Sequence, residues 1–509
     1  MGLGKTVQAL LLAAQFEAEW PLLVVAPSSL RFVWRDQAAQ WLPHLAGIEG
    51  ERVHVVRHGK DLPPLSARVI VATYDLVRRY QRLRTRPDGS DFLVVIVDES
   101  QNIKEGSSQR TKAVVGLCKA ARRAVLLSGT PALNRATELY TQLEALLPGQ
   151  MPSFAQFGER YCKKEVQRFG KRVIEKWGGA KRSEELHRLL LASVMIRRLK
   201  ADVLEQLPPK RRTRVPLDSE RMDQDLLQDV RRRMRTFAGT SLDMSSGDAA
   251  NRSETAELFR LTAQAKIGAV LDYMEHLLQA GRKFLLFGHH HVTLNSVDAR
   301  LRELGVVFVR IDGQTAAAQR PTLVKRFQEE EAVRVAVLSI TAAGSGLTLT
   351  AAHLVVFAEL YWVPGQMVQA EDRAHRIGQR DSVTVQYLIA KDTLDEALFK
   401  SLERKMASTS AILNGRHQSL AARQQAPRRA APAVAATDAA VAAERPQASA
   451  PSSSAREPGG SCGGGSGAAA EEDTQAAAPP RKRLRSAGEE EGVDGFGDRG
   501  CSGACASAD

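Results

Sequence analysis

Cysteine is scarce in this 509-residue chain: there are five, and only Cys118 and Cys162 precede the change of composition near Arg416. Their spacing gives neither a disulfide framework nor a zinc-ligand pattern, which excludes a small disulfide-stapled scaffold and fits a reducing interior. Aromatic residues are also few, at 5%. They nearly vanish beyond Arg416, where Ala, Pro, Ser and Gly dominate. Such a composition buries too little apolar surface to offset the entropy of ordering, so residues 409–509 are expected to form a disordered tail. No apolar run approaches the roughly 20 residues that a membrane helix needs, and no membrane partner is expected. Acidic residues fall short of basic ones, 58 against 71. From Arg416 onward the two nearly balance, at 12 acidic and 11 basic, which leaves 46 against 60 in the remainder. A surface that tracks phosphate needs that excess, although a solvated basic face would give the same count.

What is present begins at once. The first six residues read Met-Gly-Leu-Gly-Lys-Thr, the second half of a phosphate-binding loop. Backbone N–H groups of Gly2, Leu3 and Gly4 would close around phosphate oxygens, Lys5 would reach the β/γ-phosphates, and Thr6 would place its hydroxyl on a magnesium ion. Gln8, in the helix that follows, is counted with them. An apolar strand at 22–26 completes the loop, helix, strand order. A second strand, at 91–97, runs into Asp98 and Glu99. An acidic pair at a strand end, downstream of Gly-Lys-Thr, suits metal binding by Asp98 and polarisation of an attacking water by Glu99. After a third strand at 124–127 come Ser128, Gly129, Thr130 and Pro131, a turn of small hydroxyl residues able to report nucleotide state.

These strings, with Val-Ala-Pro-Ser-Ser-Leu at 25–30 and Ala-Thr-Tyr at 72–74, resemble in their order the helicase-like ATPases, and among them the Swi/Snf-type chromatin and DNA translocases. Four later strings, at 283–287, 310–313, 342–349 and 369–379, extend the resemblance to about Met406. The last, Gln-Ala-Glu-Asp-Arg-Ala-His-Arg-Ile-Gly-Gln, is the most specific. The resemblance implies an α/β chain of two RecA-like parallel-sheet lobes with the ATP site in the cleft between them. It implies ATP and Mg2+ as cofactors, and Ser28, Thr73, Gln101, Ser128, Thr130 and Gln369 as residues that contact DNA or couple it to hydrolysis.

Arg373 and Arg376 are three apart, which on a helix places them on one face, and the lobe arrangement makes them arginine fingers supplied across the cleft. Gly344 and Gly346 permit close backbone approach, to a DNA phosphate or to the nucleotide. The basic residues at 197–200 and 210–212 either grip DNA phosphate or tie the lobes together. Three successive histidines, His289 to His291, point in different directions and lack further ligands nearby, so a metal site is not expected there.

The organisation read from the sequence is a first lobe at 1–200, a basic inter-lobe segment at 201–262, a second lobe at 263–408 and the tail at 409–509. Pro-Pro-Arg-Lys-Arg-Leu-Arg at 479–485 reads as a nuclear import signal. Within the family the match is best to the HARP-related annealing helicases and fork-remodelling translocases. That implies double-stranded or forked DNA as partner, replication and repair proteins around it, contact with chromatin, and a nuclear location. A nucleosome remodeller of the same family and an inactive DNA-binding fragment are the alternatives. Two departures from the family pattern stand out. The strand that normally enters the phosphate loop would lie before Met1, so the chain is expected to be a fragment whose first sheet lacks a strand. Gln101 replaces a common His, but it can still donate and accept a hydrogen bond.

Overall fold

Runs of β-branched and aliphatic residues define the first sheet. The computed structural model of the protein describes residues 2–45, 52–169, 172–236, 249–341, 346–416 and 423–424. The import signal at 481–485, most of the expected tail and Gly344 lie outside them. In chain order the first part reads α1 (Lys5–Ala14), β1 (Leu22–Ala26), α2 (Arg31–Trp41), β2 (Val53–Val55), β3 (Val69–Thr73), α3 (Tyr74–Arg79), β4 (Val94–Asp98), α4 (Gln109–Ala120) and β5 (Arg123–Leu127). Five parallel strands lie in the order β2-β3-β1-β4-β5. The three central ones are buried along their whole length, as strands covered on both faces must be. On one face Leu10 and Ala13 of α1 and Trp34 and Ala38 of α2 cover the sheet, and on the other Val77 of α3 and Val114 and Leu117 of α4 do so. Edge strand β5 is only half-buried throughout.

An insertion follows: α5 (Tyr140–Leu146), α6 (Phe154–Tyr161), β6 (Cys162–Phe169), β7 (Arg172–Ala180) and α7 (Ser183–Ser193). Strands β6 and β7 form an antiparallel hairpin of their own, which no hydrophobic pattern announces.

The chain leaves the first lobe through α8 (Lys200–Val203), and the second lobe comprises β8 (Lys210–Pro216), α9 (Gln224–Thr236), α10 (Ala249–Ala265), α11 (Ile267–Gln279), β9 (Phe284–Gly288), α12 (His291–Glu303), β10 (Phe308–Ile311), α13 (Arg320–Glu329), β11 (Val335–Ser339), β12 (Leu354–Phe357), α14 (Pro364–Glu371), β13 (Val383–Ile389), α15 (Leu394–Asn414) and β14 (Arg423–Gln424). Its strands are parallel in the order β10-β11-β9-β12-β13-β8-β14. Apolar clusters again lie on both faces, one with Phe287, Phe327 and Leu398, the other with Phe284, Met274 and Val297.

Two boundaries differ from the sequence reading. Strand β8 falls inside the 201–262 segment yet pairs with β13 from Lys210↔Val383 to Pro216↔Ile389. Its Lys-Arg-Arg-Thr-Arg-Val-Pro carries four basic residues, so no apolar alternation marks it as a strand. Helix α15 runs past residue 408 to Asn414, because Ile412 and Leu413 are buried against the α6–α7 insertion. Gly415, at φ 65, ends it in the left-handed cap that glycine favours.

Candidate active site

The loop before α1 depends on Gly2 and Gly4, whose φ values of 79 and 70 lie in the left-handed region. Lys5 and Thr6 open α1, so this helix end presents backbone N–H groups without intrahelical partners. Gln8 turns its amide back to the Leu3 carbonyl at 2.7 Å and so braces the loop from within.

Asp98 ends β4 and is nearly buried. Its Oδ2 accepts from the Trp34 indole N–H at 2.9 Å, and its Oδ1 from the Glu99 backbone N–H at 2.9 Å. Burial, and then the charge of Glu99, push the Asp98 pKa up to about 6 against the pull of Trp34 and Lys5. Lys5 is therefore close enough to act on this carboxylate. The Tyr74 hydroxyl donates to the Asp98 carbonyl at 2.5 Å and fixes the turn. Glu99 takes φ 52, a left-handed conformation that costs a non-glycine residue about 1 kcal/mol and aims the side chain away from the strand direction. Sequence reasoning missed Trp34 and Tyr74. The available signal was that buried indole and phenol groups need polar partners.

From Glu99 a chain of hydrogen bonds crosses to the second lobe. Gln101 Nε2 donates to Glu99 Oε2 at 2.6 Å, and Ser128 Oγ donates to Gln101 Oε1 at 2.6 Å. Ser128 Oγ in turn accepts from the Thr130 N–H at 3.0 Å. Gln369 Nε2, on α14, donates to Thr130 Oγ1 at 3.4 Å. Gln101 thus uses both ends of its amide, donating on one side and accepting on the other.

The arginines differ from the helical reading. Helix α14 stops at Glu371, and Arg373 and Arg376 stand on the turn beyond it. Bonds such as Arg373 N to Ala370 O and Ala374 N to Glu371 O tighten the chain to three-residue spacing. Neither Glu371 nor Arg373 is part of a solvated charged face, because both are buried. Arg373 donates to the Leu347 carbonyl at 3.3 Å, and burial followed by the Arg376 charge lowers its pKa to about 9. Arg376 donates to Thr348 Oγ1 at 2.8 Å and to the Asp372 carbonyl at 3.2 Å. Both arginines feel the charge of Glu99. A Cβ built on Gly2 would lie 3.7 Å from Arg376 Cγ, so the second arginine's stem lies beside Gly2 of the loop before α1.

The remaining candidates are placed differently. Gly346 has φ 54, but what approaches it is a side chain from the other lobe: an added Cβ would come within 2.5 Å of Leu30 Cδ2. Thr73 caps α3 by accepting from Leu76 N at 3.3 Å. Ser28 is exposed on the turn after β1. His290 Nδ1 lies 2.7 Å from Glu359 Oε2, and His289 stacks on Phe259. A cavity of about 220 Å³ beside β5 is lined by Lys5, Gln8, Ser128 and Arg197 among others. A larger one of about 770 Å³, between α5, α6 and α7, shares no residue with these motifs.

Residues 1–269 match the SNF2-related domain, and residues 265–378 match the helicase conserved C-terminal domain. The chain is 43% identical over 429 residues to the DNA annealing helicase and endonuclease ZRANB3 of Mus musculus, covering 83% of this chain and 39% of that protein. It is also 43% identical over 410 residues to the SWI/SNF-related matrix-associated actin-dependent regulator of chromatin subfamily A-like protein 1 of Xenopus tropicalis, covering 80% and 42%. The chain therefore spans about two fifths of the length of these curated relatives. Among solved structures, the Sulfolobus solfataricus SWI2/SNF2 ATPase core in complex with dsDNA overlaps 82% of this chain and 87% of its own, at 24% identity and a TM-score of 0.36. With a Gly-Leu-Gly-Lys-Thr turn and an acidic pair on one RecA-like lobe and Arg376 of the other lobe beside Gly2, the chain belongs to the SNF2-related family of helicase-like ATPases.

Proposed function

We propose that this chain is the motor of an ATP-dependent DNA translocase that acts on double-stranded or branched DNA, of the annealing and fork-remodelling kind, in the nucleus. The observation that carries the reading is the hydrogen-bonded path from Glu99 through Gln101, Ser128 and Thr130 to Gln369. It makes the position of the water-activating carboxylate depend on how the second lobe sits, which is what a motor requires. In this reading Lys5 binds the β/γ-phosphates and Glu99 orients the attacking water. Arg376, with Arg373 behind it, meets the charge that develops on the transferred phosphoryl group. Thr6 and Asp98 would hold a magnesium ion. The fit lies in Asp98 itself, a buried carboxylate beside a second one, whose raised pKa marks negative charge that the protein alone leaves under-compensated. The ion would supply charge neutralisation at the phosphates.

The annealing choice rests on the similarity to a relative named a DNA annealing helicase, and the basic excess of the chain suits a phosphate-bound track. We assign 1–200 and 263–408 to the two lobes, with β8 of the 201–262 segment and the end of α15 joining the second, and the residues beyond to a tail bearing the import signal. Replication and repair proteins are the partners this reading expects. ATP hydrolysis measured with forked DNA, linear duplex and nucleosomes tests it. Forks should stimulate most. Stronger stimulation by nucleosomes would support a remodeller instead, and indifference to all three would reject a DNA motor.

A further inference from the structure

The basic residues between the lobes could grip DNA or tie the lobes, and their contacts discriminate. Arg197 donates to the Gly129 carbonyl at 3.4 Å, in the 128–130 turn of the first lobe, and to Asn414 Oδ1 at 2.6 Å. Three residues on, Lys200 Nζ donates to the His375 carbonyl at 2.6 Å and pairs with Asp372 Oδ2 at 2.9 Å. One short stretch therefore joins the hydroxyl turn of the first lobe to the turn that carries Arg373 and Arg376.

Behind that turn lies a fixed anchor. Glu371, wholly buried, accepts from Lys210 at 2.7 Å, from Arg212 at 2.8 and 3.0 Å and from the Tyr387 hydroxyl. Lys210 also reaches Asp372 Oδ1 at 2.9 Å, and His375 Nε2 lies 2.7 Å from the Pro208 carbonyl. Burial alone would raise both carboxyls. Lys210 and Arg212 outweigh it at Glu371, whose pKa falls to about 2, and Lys210 and Lys200 outweigh it at Asp372, which falls further. Both therefore stay charged at neutral pH and need these cations. Lys210 and Arg212 belong to β8, in the same sheet as the turn's neighbours, and hold it to its own lobe. Lys200 is different. It comes from the chain that leaves the first lobe, is largely buried, and has two oxygens of the arginine turn within hydrogen-bond distance. A side chain so engaged is not displayed to a DNA phosphate.

We propose that residues 197–200 form a strut between the 128–130 turn and the arginine turn, and that Lys200 is a positioning residue for Arg376. The proposal rests on the translocase reading above, in which Arg376 acts on the phosphoryl group. Arg376 donates to the Asp372 carbonyl, so a shift of Asp372 moves Arg376 with it. Misplacement of a catalytic group by about 1 Å can cost about a hundredfold in rate.

The test uses the full chain with Lys200→Met, which keeps the apolar stem, and Lys200→Arg, which keeps the charge. DNA-stimulated kcat should fall at least about tenfold in Lys200→Met, with the KM for ATP and the affinity for duplex DNA unchanged. Lys200→Arg should recover most of the rate. The slope of DNA affinity against salt should match that of the unmodified chain, whereas a lost phosphate contact would reduce it by about 1. A smaller slope with weaker DNA binding would overturn the strut in favour of a DNA grip, and an unchanged kcat in Lys200→Met would overturn it outright. The DNA-stimulated rate of the unmodified chain, read in the same series, tests the translocase reading separately, because the strut is judged on the ratio of variant to unmodified rate.

Discussion

Trp34 donates its indole N–H to the Asp98 carboxylate across 2.9 Å, linking the helix after the first strand to the strand end that would hold a metal ion. Asp98 has no other side-chain donor among the hydrogen bonds of the described residues, and its pKa stands at about 6. Replacing Trp34 by Phe removes the donor and keeps most of the bulk. The ionised form loses its partner, so the acid limb of the pH profile of kcat/KM should move to higher pH. An unmoved limb would show that Trp34 only fills space.

Asp98 should also trade stability for activity. A carboxyl whose pKa is higher folded than unfolded binds more protons in the folded state, so its contribution to stability falls as pH rises from about 4 to about 6. At pH 7 the buried charge is a liability of up to about 3 kcal/mol. Asp98→Asn should accordingly raise the melting temperature of the nucleotide-free chain while it abolishes ATP hydrolysis. Thermal melts at pH 5 and pH 7.5 check this: the gain should be larger at the higher pH.

Arg376→Ala should leave ATP affinity nearly intact and lower turnover by about a thousandfold, since a finger acts on the transition state. Arg373→Ala should lose turnover and stability together, because Arg373 is fully buried and holds the Leu347 carbonyl. Single-turnover kinetics beside denaturant melts would separate the two. Equal destabilisation by both changes would deny this division of labour.

Gln101→Leu should uncouple hydrolysis from DNA. It removes the amide that joins Glu99 to Ser128, so basal ATPase should persist while stimulation by DNA falls about tenfold or more, the loss expected for a gated step. Gln101→His should retain much of the stimulation, because imidazole can also donate and accept. Full stimulation in the Leu variant would remove the relay from the mechanism.

Much of this was legible in the chain itself. Strands β1, β3, β4, β9 and β11 are apolar runs with no polar residue before their last position, and glycines in the left-handed region before α1 are what a Gly-Leu-Gly-Lys-Thr turn calls for. The hydrogen-bonded residues Gln101, Ser128, Thr130 and Gln369 were visible only through the family's motifs, since nothing local brings 101, 128 and 369 together. Strand β8 escaped because charge masks its period, and two of its cations, Lys210 and Arg212, are matched by Glu371 and Asp372, far away in sequence. The arginines were assigned to a helix that stops just before them. Spacing cannot show that the helix ends at Glu371, just before Arg373, where Glu371 and Asp372 both pair with Lys210.

Lys5 offers the decisive comparison, because the positive charge it would bring to the β/γ-phosphates has no substitute on the loop. Steady-state ATP hydrolysis by the chain and by Lys5→Ala, each with and without forked DNA, should show DNA stimulation of the first and no hydrolysis by the second, with fork binding equal in both. Hydrolysis at full rate by Lys5→Ala, or a rate in the unmodified chain that forked DNA leaves unchanged, would contradict a DNA-driven motor built on this site.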